Sequence, residues 1–368
     1  MNYPVSTTPE SSVNAPELAA KDWRSLRAAW GLEGTRAELI GNGGLINTTL
    51  RAGPLVLQRI NREVFPDAER LILNGVLVGQ HLARLRVRGD YPLEVLSTVR
   101  TKDGQWWHQI GQDYWRATQH IANSRTFEKV SNDAIAREGA RAFAQFIFAM
   151  RDFTPPRYIA SLPEFHQLSN RIVALEQFAR IDPLGRLAKV RVLFDLAERF
   201  LPYLHQIEYA TSSGELPQRF VHADTKIANI LFDSQSPRAR AVIDLDTVMT
   251  SSVVFDFGDM VRSFCNPLGE LANPKSVQLH LGRFQAVADG FMSVLHRELT
   301  RQEKLHLIPA SIAVTATLGI RFLTDYLAGD MYFRVQQPDD NFQRAAVQLA
   351  LAVSIEKERR RMERCLRL

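Results

Sequence analysis

The segment His222-Ala223-Asp224-Thr225-Lys226-Ile227-Ala228-Asn229, followed after a short hairpin by Ile243-Asp244-Leu245-Asp246, constrains this chain more than any other part of it. Its polar side chains fall between short apolar runs, Phe220-Val221, Ile230-Leu231-Phe232 and Ala241-Val242-Ile243. Runs of that kind, separated by polar residues, read as β-hairpins edging a cleft. Phosphoryl transfer explains the residue types. It needs a carboxylate to orient and deprotonate an attacking hydroxyl, and oxygen ligands for a divalent cation that bridges phosphates. Asp224 is the candidate base, with His222 and Lys226 completing the catalytic group. Asn229, Asp244 and Asp246 are the candidate cation ligands. The bland alternative, a polar turn with an incidental histidine, leaves four matching positions and the downstream acidic pair unexplained.

Around this segment the pattern is two-part. Residues 1–15 are rich in Ser, Thr, Pro and Asn and read as a flexible arm, and a helix follows near 15–30. Residues 16–121 carry short β-like runs at 38–40, 46–51, 55–60, 93–99 and 106–110, with a helix at 67–86 and a last strand near 114–121. From 122 to 368 helical periodicity dominates, at 134–151, 168–177, 187–203, 276–299 and 310–327. The fold class expected is α+β, with a small β-rich N-lobe and a larger mainly α-helical C-lobe. Gly41-Asn42-Gly43-Gly44 reads first as a hairpin turn. Ahead of the Asp224 segment, it is also a candidate cover for nucleotide phosphates.

Composition excludes other classes. Cys265 and Cys365 form no CxxC pair, which argues against a disulfide framework or a cysteine zinc site and fits a reducing, cytoplasmic setting. No run of 18 apolar residues appears, so no membrane span is expected. The net charge of +5 raises nucleic acid as a partner. The densest basic cluster, at 357–367, is interleaved with Glu356, Glu358 and Glu363 and reads as a solvated helix face. No nucleic-acid partner is expected. The histidines lack H-x-x-x-H spacing, which gives no support to a zinc hydrolase. Asp256-Phe257-Gly258 spells a kinase triplet but has no convincing β-hairpin just before it. The metal role is therefore given to Asp244, and Asp256 and Asp259 are expected to fix the loop.

The spacing D-x-K-x-x-N at Asp224, Lys226 and Asn229, with His222 two positions earlier, is similar to the catalytic loop of protein kinases. Over most of its length the chain resembles the aminoglycoside phosphotransferase and choline kinase superfamily, within the protein-kinase-like fold. The likeness is nearest to the bacterial N-acetylhexosamine 1-kinase branch, carried by Leu57-Gln58-Arg59-Ile60-Asn61, Asp224-Thr225-Lys226, residues 243–249, Asp256-Phe257-Gly258-Asp259 and residues 321–327.

The resemblance implies a kinase using ATP and Mg²⁺, with the N-lobe covering the nucleotide. The acceptor implied is a small molecule, most simply the anomeric hydroxyl of an N-acetylhexosamine, with Asp224 beside it and Arg321, Tyr332 and Asp325 at the acceptor. Two departures stand out. Leu45 and Thr48 occupy positions where the sugar-kinase branch has a His and an Asp. Gln58, with Arg59 beside it, stands where the superfamily has a phosphate-binding strand lysine; Arg59 could replace that lysine only from a bulged or shifted strand. Other acceptors (choline or ethanolamine, homoserine, an aminoglycoside) and a non-catalytic nucleotide-binding scaffold remain as alternative readings.

Overall fold

A computed structural model describes residues 18–40, 47–162 and 165–367. The arm at 1–15 and the glycine turn at Gly41, Gly43 and Gly44 lie outside the described residues. Two compact units emerge: Met1–Gln80 with Leu96–Ala122 and Arg157–Glu164, and His81–Val95 with Asn123–Pro156 and Phe165–Leu368.

In the first unit α1 (Ala20–Trp30) precedes β1 (Ala37–Leu39), β2 (Thr48–Ala52) and β3 (Leu55–Arg59). Helix α2 (Ala68–Arg88) then leads to β4 (Thr98–Val99), β5 (His108–Ile110) and β6 (Asp113–Gln119). The strands form one antiparallel sheet in the order β1-β2-β3-β6-β4, with β5 also on β6. Alternation decides which face is inside. Leu50 and Ala52, Leu55 and Leu57, and Trp115 and Ala117 share one buried cluster with Leu26 and Trp30 of α1. The run expected at 93–99 pairs in this sheet only at its end, through Thr98 and Val99.

The second unit is mainly helical. It contains β7 (Ser124–Arg125), α3 (Asp133–Ala149), α4 (Leu168–Ile181), α5 (Leu187–Glu198) and α6 (Leu201–Ser212). The functional segment follows, as β8 (Arg219–Val221), β9 (Ile230–Asp233), β10 (Ala239–Val242) and β11 (Met249–Ser251). Helices α7 (Val253–Phe264), α8 (Leu281–Leu295), α9 (Arg301–Ala328) and α10 (Asp340–Leu366) complete it.

Three expectations are corrected. The single helix at 187–203 is two, because the chain turns at Phe200 and Pro202 opens a new helix, where its missing N–H costs nothing. Helix α9 begins nine residues before the expected Ala310, at Arg301, because Thr300 and Glu303 form a capping box that nucleates it ahead of Pro309. Helix α7 was not expected at all. It is buried along most of its length, with Phe257 and Val261 fully buried, and its polar stripe of Asp256, Asp259 and Arg262 is engaged by protein partners, Asp256 by the His222 and Ala223 amides and Asp259 by Arg262.

Gly258 has a packing reason to be glycine. A Cβ there would sit 2.9 Å from the Ala310 carbonyl oxygen of α9. Among the described residues α9 alone is long and apolar enough to cross a membrane, yet 83% of its most apolar window is buried inside the fold, as in a core helix.

Candidate active site

The chain leaves β8 at Val221 and turns sharply. Ala223 adopts φ +64°, a left-handed conformation that costs a non-glycine residue about 1 kcal/mol or more. The turn is held from below by Asp256 in the first turn of α7. Its two carboxylate oxygens accept from the backbone N–H groups of His222 and Ala223, each at 2.8 Å. Thr225 Oγ1 donates back to the Asp256 carbonyl at 2.7 Å. Asp256 is fully buried, and burial pushes its pKa up to about 7 against the two donors that favour its charge. Asp259, one turn on, is paired with Arg262 at 2.7 Å.

His222 is also fully buried. Its Nε2 donates to the Ile243 carbonyl at 2.9 Å, and its Nδ1 accepts from the Asp224 N–H at 3.3 Å. These partners require a neutral ring protonated on Nε2. Burial, first of all, holds its pKa below the ordinary value. Phe143 and Phe146 meet the ring edge-on at 5.1 and 5.6 Å. His222 thus spans from the Asp224 backbone to the strand end that carries Asp244. Both of its ring nitrogens are committed to the backbone.

Asp224 is held at three points. Lys226 Nζ donates to Oδ2 at 2.6 Å, and the Asn229 amide donates to Oδ2 and to the Asp224 carbonyl, both at 2.9 Å. Burial opposes the charge on Asp224, but the ammonium, His222 and the Asn229 amide outweigh it and hold the carboxyl below its usual range. Burial likewise works against the Lys226 charge, and the fields of Asp224, Asp244 and Asp259 overcome it and raise its pKa.

The Asn229 amide nitrogen makes both of its donations to Asp224, so Oδ1 is the atom that could be offered to a cation. The Asn229 carbonyl accepts from Ile243 N–H at 2.9 Å, fixing the next hairpin against the loop. Asp244 then takes φ +61° ahead of a single 3₁₀ turn, so the backbone is bent to present this carboxylate. Asp246 lies within that turn and is buried, with 4% exposure. Two oxygen donors, Oδ1 of Asn229 and the half-exposed Asp244 carboxylate, fit a hard divalent cation that keeps several waters.

The remaining predicted residues fall into separate places. On β3, Gln58 and Arg59 point to opposite faces, as alternation requires. The Gln58 side-chain oxygen Oε1 accepts from Arg116 of β6 at 3.0 and 2.8 Å, and its Nε2 donates to Thr49 Oγ1. Arg59 pairs with Asp113 at 3.4 Å near the surface, and the β3–β6 register is continuous, so no bulge turns it to the Gln58 face. The buried cation on that face is Arg116, which sequence reasoning missed. Strand pairing could have found it, because Arg116 is directly opposite Gln58.

At the other predicted cluster, Arg321 of α9 and Tyr332 lie together, the guanidinium carbon 5.6 Å from the ring. Asp325 does not join them. It is 1% exposed, and its oxygens accept from Tyr332 N–H, Phe333 N–H and the Asn341 amide at 2.8 to 2.9 Å. Its carboxylate shapes the loop and has little capacity left for an acceptor.

A small antiparallel β unit, a larger helical unit and an aspartate-lysine-asparagine loop define the protein-kinase-like class. Solved structures agree on the fold. An aminoglycoside phosphotransferase from Alicyclobacillus acidocaldarius is similar with a TM-score of 0.62 at 15% identity, covering 96% of this chain and 98% of its own. A microcompartment-associated aminopropanol kinase gives 0.59 at 15% identity, covering 92% and 97%. A choline/ethanolamine kinase family protein from Mesorhizobium loti gives 0.57 at 15% identity, covering 94% and 99%. Residues 42–286 match the phosphotransferase enzyme family, and the chain belongs to that family. It is a phosphotransferase acting on a hydroxyl acceptor.

Proposed function

We infer that this enzyme transfers the γ-phosphoryl group of ATP, as its Mg²⁺ complex, to a hydroxyl of a sugar, with the anomeric hydroxyl of an N-acetylhexosamine as the leading acceptor. One observation carries the reading: a single carboxylate, Asp224, is pinned by Lys226 and Asn229, and the negative charge of Asp244 adds to the field that keeps the same lysine charged. Asp224 orients the acceptor hydroxyl and takes its proton. The depressed pKa keeps it ionised, so it works chiefly by positioning. Lys226 faces the phosphates. Asn229 and Asp244 would hold the cation, which neutralises charge on the phosphates as the bond transfers. Residues 16–121 would cover the nucleotide, and 122–368 would carry catalysis and the acceptor, in a cytoplasmic enzyme.

Arg321 and Tyr332 support the acceptor assignment, since an arginine among aromatic rings suits a polyhydroxylated ligand better than a quaternary amine. The test is ADP release with ATP and Mg²⁺ across N-acetylhexosamines, other sugars, choline, homoserine and aminoglycosides, with Asp224→Asn as the blank. Turnover of a hexosamine above the blank is expected. Turnover confined to choline or an aminoglycoside would refute the sugar assignment.

A further inference from the structure

Helix α7 meets the loop around Asp224 along one row of side chains. Asp256 holds the His222 and Ala223 amides, each at 2.8 Å. One turn on, Asp259 Oδ2 lies 3.4 Å from Thr225 Oγ1. A further turn on, Ser263 Oγ accepts from the Ile227 N–H at 3.3 Å. Positions 256, 259 and 263 share one helix face, so the row follows residues 222–227 in order. The neighbouring Phe255 faces elsewhere, stacked on His166 with ring centroids 4.1 Å apart, and His166 shares a 2.7 Å hydrogen bond with Ser251.

Asp259 is the member of this row with accepting capacity to spare. The Thr225 hydroxyl has one hydrogen, which goes to the Asp256 carbonyl at 2.7 Å. Asp259 Oδ1 is taken by Arg262 Nε at 2.7 Å, while Oδ2 looks onto the loop. Next after Thr225 is Lys226, whose charge is favoured, against burial, by Asp224, Asp244 and then Asp259. Two carboxylates, Asp224 and Asp259, thus bear on one loop ammonium alongside Asp244.

Arg262 stands on the far side of Asp259. It is 8% exposed, and its other end reaches Glu270 Oε1 at 3.2 Å, on the segment between α7 and α8. Burial works against the guanidinium charge, and Asp259, Glu270 and, beyond them, Asp224 outweigh it. A buried ion pair is a weak source of stability compared with apolar side chains of the same shape. Helix α7 is already anchored by Phe257, Val261 and Phe264, all fully buried.

We propose that Arg262 is a positioning residue for phosphoryl transfer: it occupies the Asp259 carboxylate and so leaves the Lys226 ammonium to Asp224. With Arg262 in place, Lys226 Nζ donates to Asp224 Oδ2 at 2.6 Å. Without it, Asp259 is an uncompensated buried charge, and Lys226 is drawn from Asp224 to answer it. The role rests on the reading of Asp224 as the base and Lys226 as its clamp.

The test is steady-state ADP release by the full chain with ATP and Mg²⁺, on whichever acceptor of the panel is turned over, or by slow transfer to water. Arg262→Met is expected to lower kcat about tenfold or more, and Arg262→Lys to bring it back within about fivefold of the native chain. Arg262→Met combined with Asp259→Asn decides the matter. With the stray carboxylate gone, its kcat is expected within about threefold of Asp259→Asn alone. A packing role predicts no such recovery, since the double variant is no better packed than Arg262→Met.

Turnover by Arg262→Met within about twofold of the native chain, or a double variant no faster than Arg262→Met, overturns the proposal. Circular dichroism checks folding, and Arg262→Gln with and without Asp259→Asn makes the same comparison if Arg262→Met does not fold. Recovery seen only on an acceptor other than a hexosamine refutes the sugar reading alone. Hexosamine turnover that Asp224→Asn abolishes and Asp259→Asn does not recover refutes the role of Arg262 alone. No ADP release from any acceptor or from water overturns both.

Discussion

The loop around Asp224 and the shelf around Arg321 belong to the same helical unit and are built on opposite principles. At the loop, the strained Ala223 and Asp244 backbones and the buried His222 ring are held by hydrogen bonds from strands and α7. At the shelf, Arg321 is enclosed by the rings of Phe165, Tyr332 and Phe333. The loop is held in one geometry by the chain itself, whereas the shelf around Arg321 is shaped by ring packing.

Four substitutions at the loop, and one remote from both regions, would break or sharpen this contrast. Asp224→Asn is expected to lower turnover about 10³-fold with nucleotide affinity changed less than about threefold, read from steady-state kinetics and ADP titration. Near-normal turnover would mean that the loop does not carry the base. Asp256→Ala strips both acceptors from the His222 and Ala223 amides, and a loss of about 2–4 kcal/mol of stability is expected in urea unfolding, with turnover falling alongside. Gly258→Ala forces α7 from the Ala310 carbonyl and is expected to cost about 1–3 kcal/mol by the same measurement.

Lys226→Met tests the electrostatics. Asp224 works ionised, its pKa is depressed, and activity is lost as pH falls through that pKa. Removing the ammonium raises it, so the acid limb of kcat/KM is expected to move to higher pH. An unmoved limb would show that another group sets it. Smallest is Arg59→Ala. Its ion pair with Asp113 is half exposed, and stability is expected to stay within about 0.5 kcal/mol with turnover within about twofold. A large loss of nucleotide affinity would instead restore Arg59 to the phosphates.

The sequence made the loop legible because its chemistry is local. Asp224, Lys226 and Asn229 lie within six residues and meet without help from distant segments. The lobes were legible for a similar reason, since strands of period 2 and amphipathic helices carry their own signal. What escaped depends on contacts far apart in sequence. Asp256 looked like part of a loop because its carboxylate is turned onto the His222 and Ala223 amides, residues more than thirty positions earlier. The hold on the His222 ring depends on Ile243, and the inward turn of Asp325 depends on Asn341, neither of which spacing alone reveals. The Gln58–Arg116 pairing needed the strand register.

The adjacency of Phe255 and Asp256 has a practical side for anyone retargeting this catalyst. A library that varies positions 165, 166, 251, 321 and 332 reshapes the ringed shelf around Arg321, while Asp256 and Gly258 must stay constant as the keel against which those variants are screened. Substitutions at Phe255 are the hazardous middle case. They alter the wall behind His166, and any tilt they give the helix moves the carboxylate under Ala223 by the next residue, so improved selectivity gained there is expected to arrive with reduced turnover.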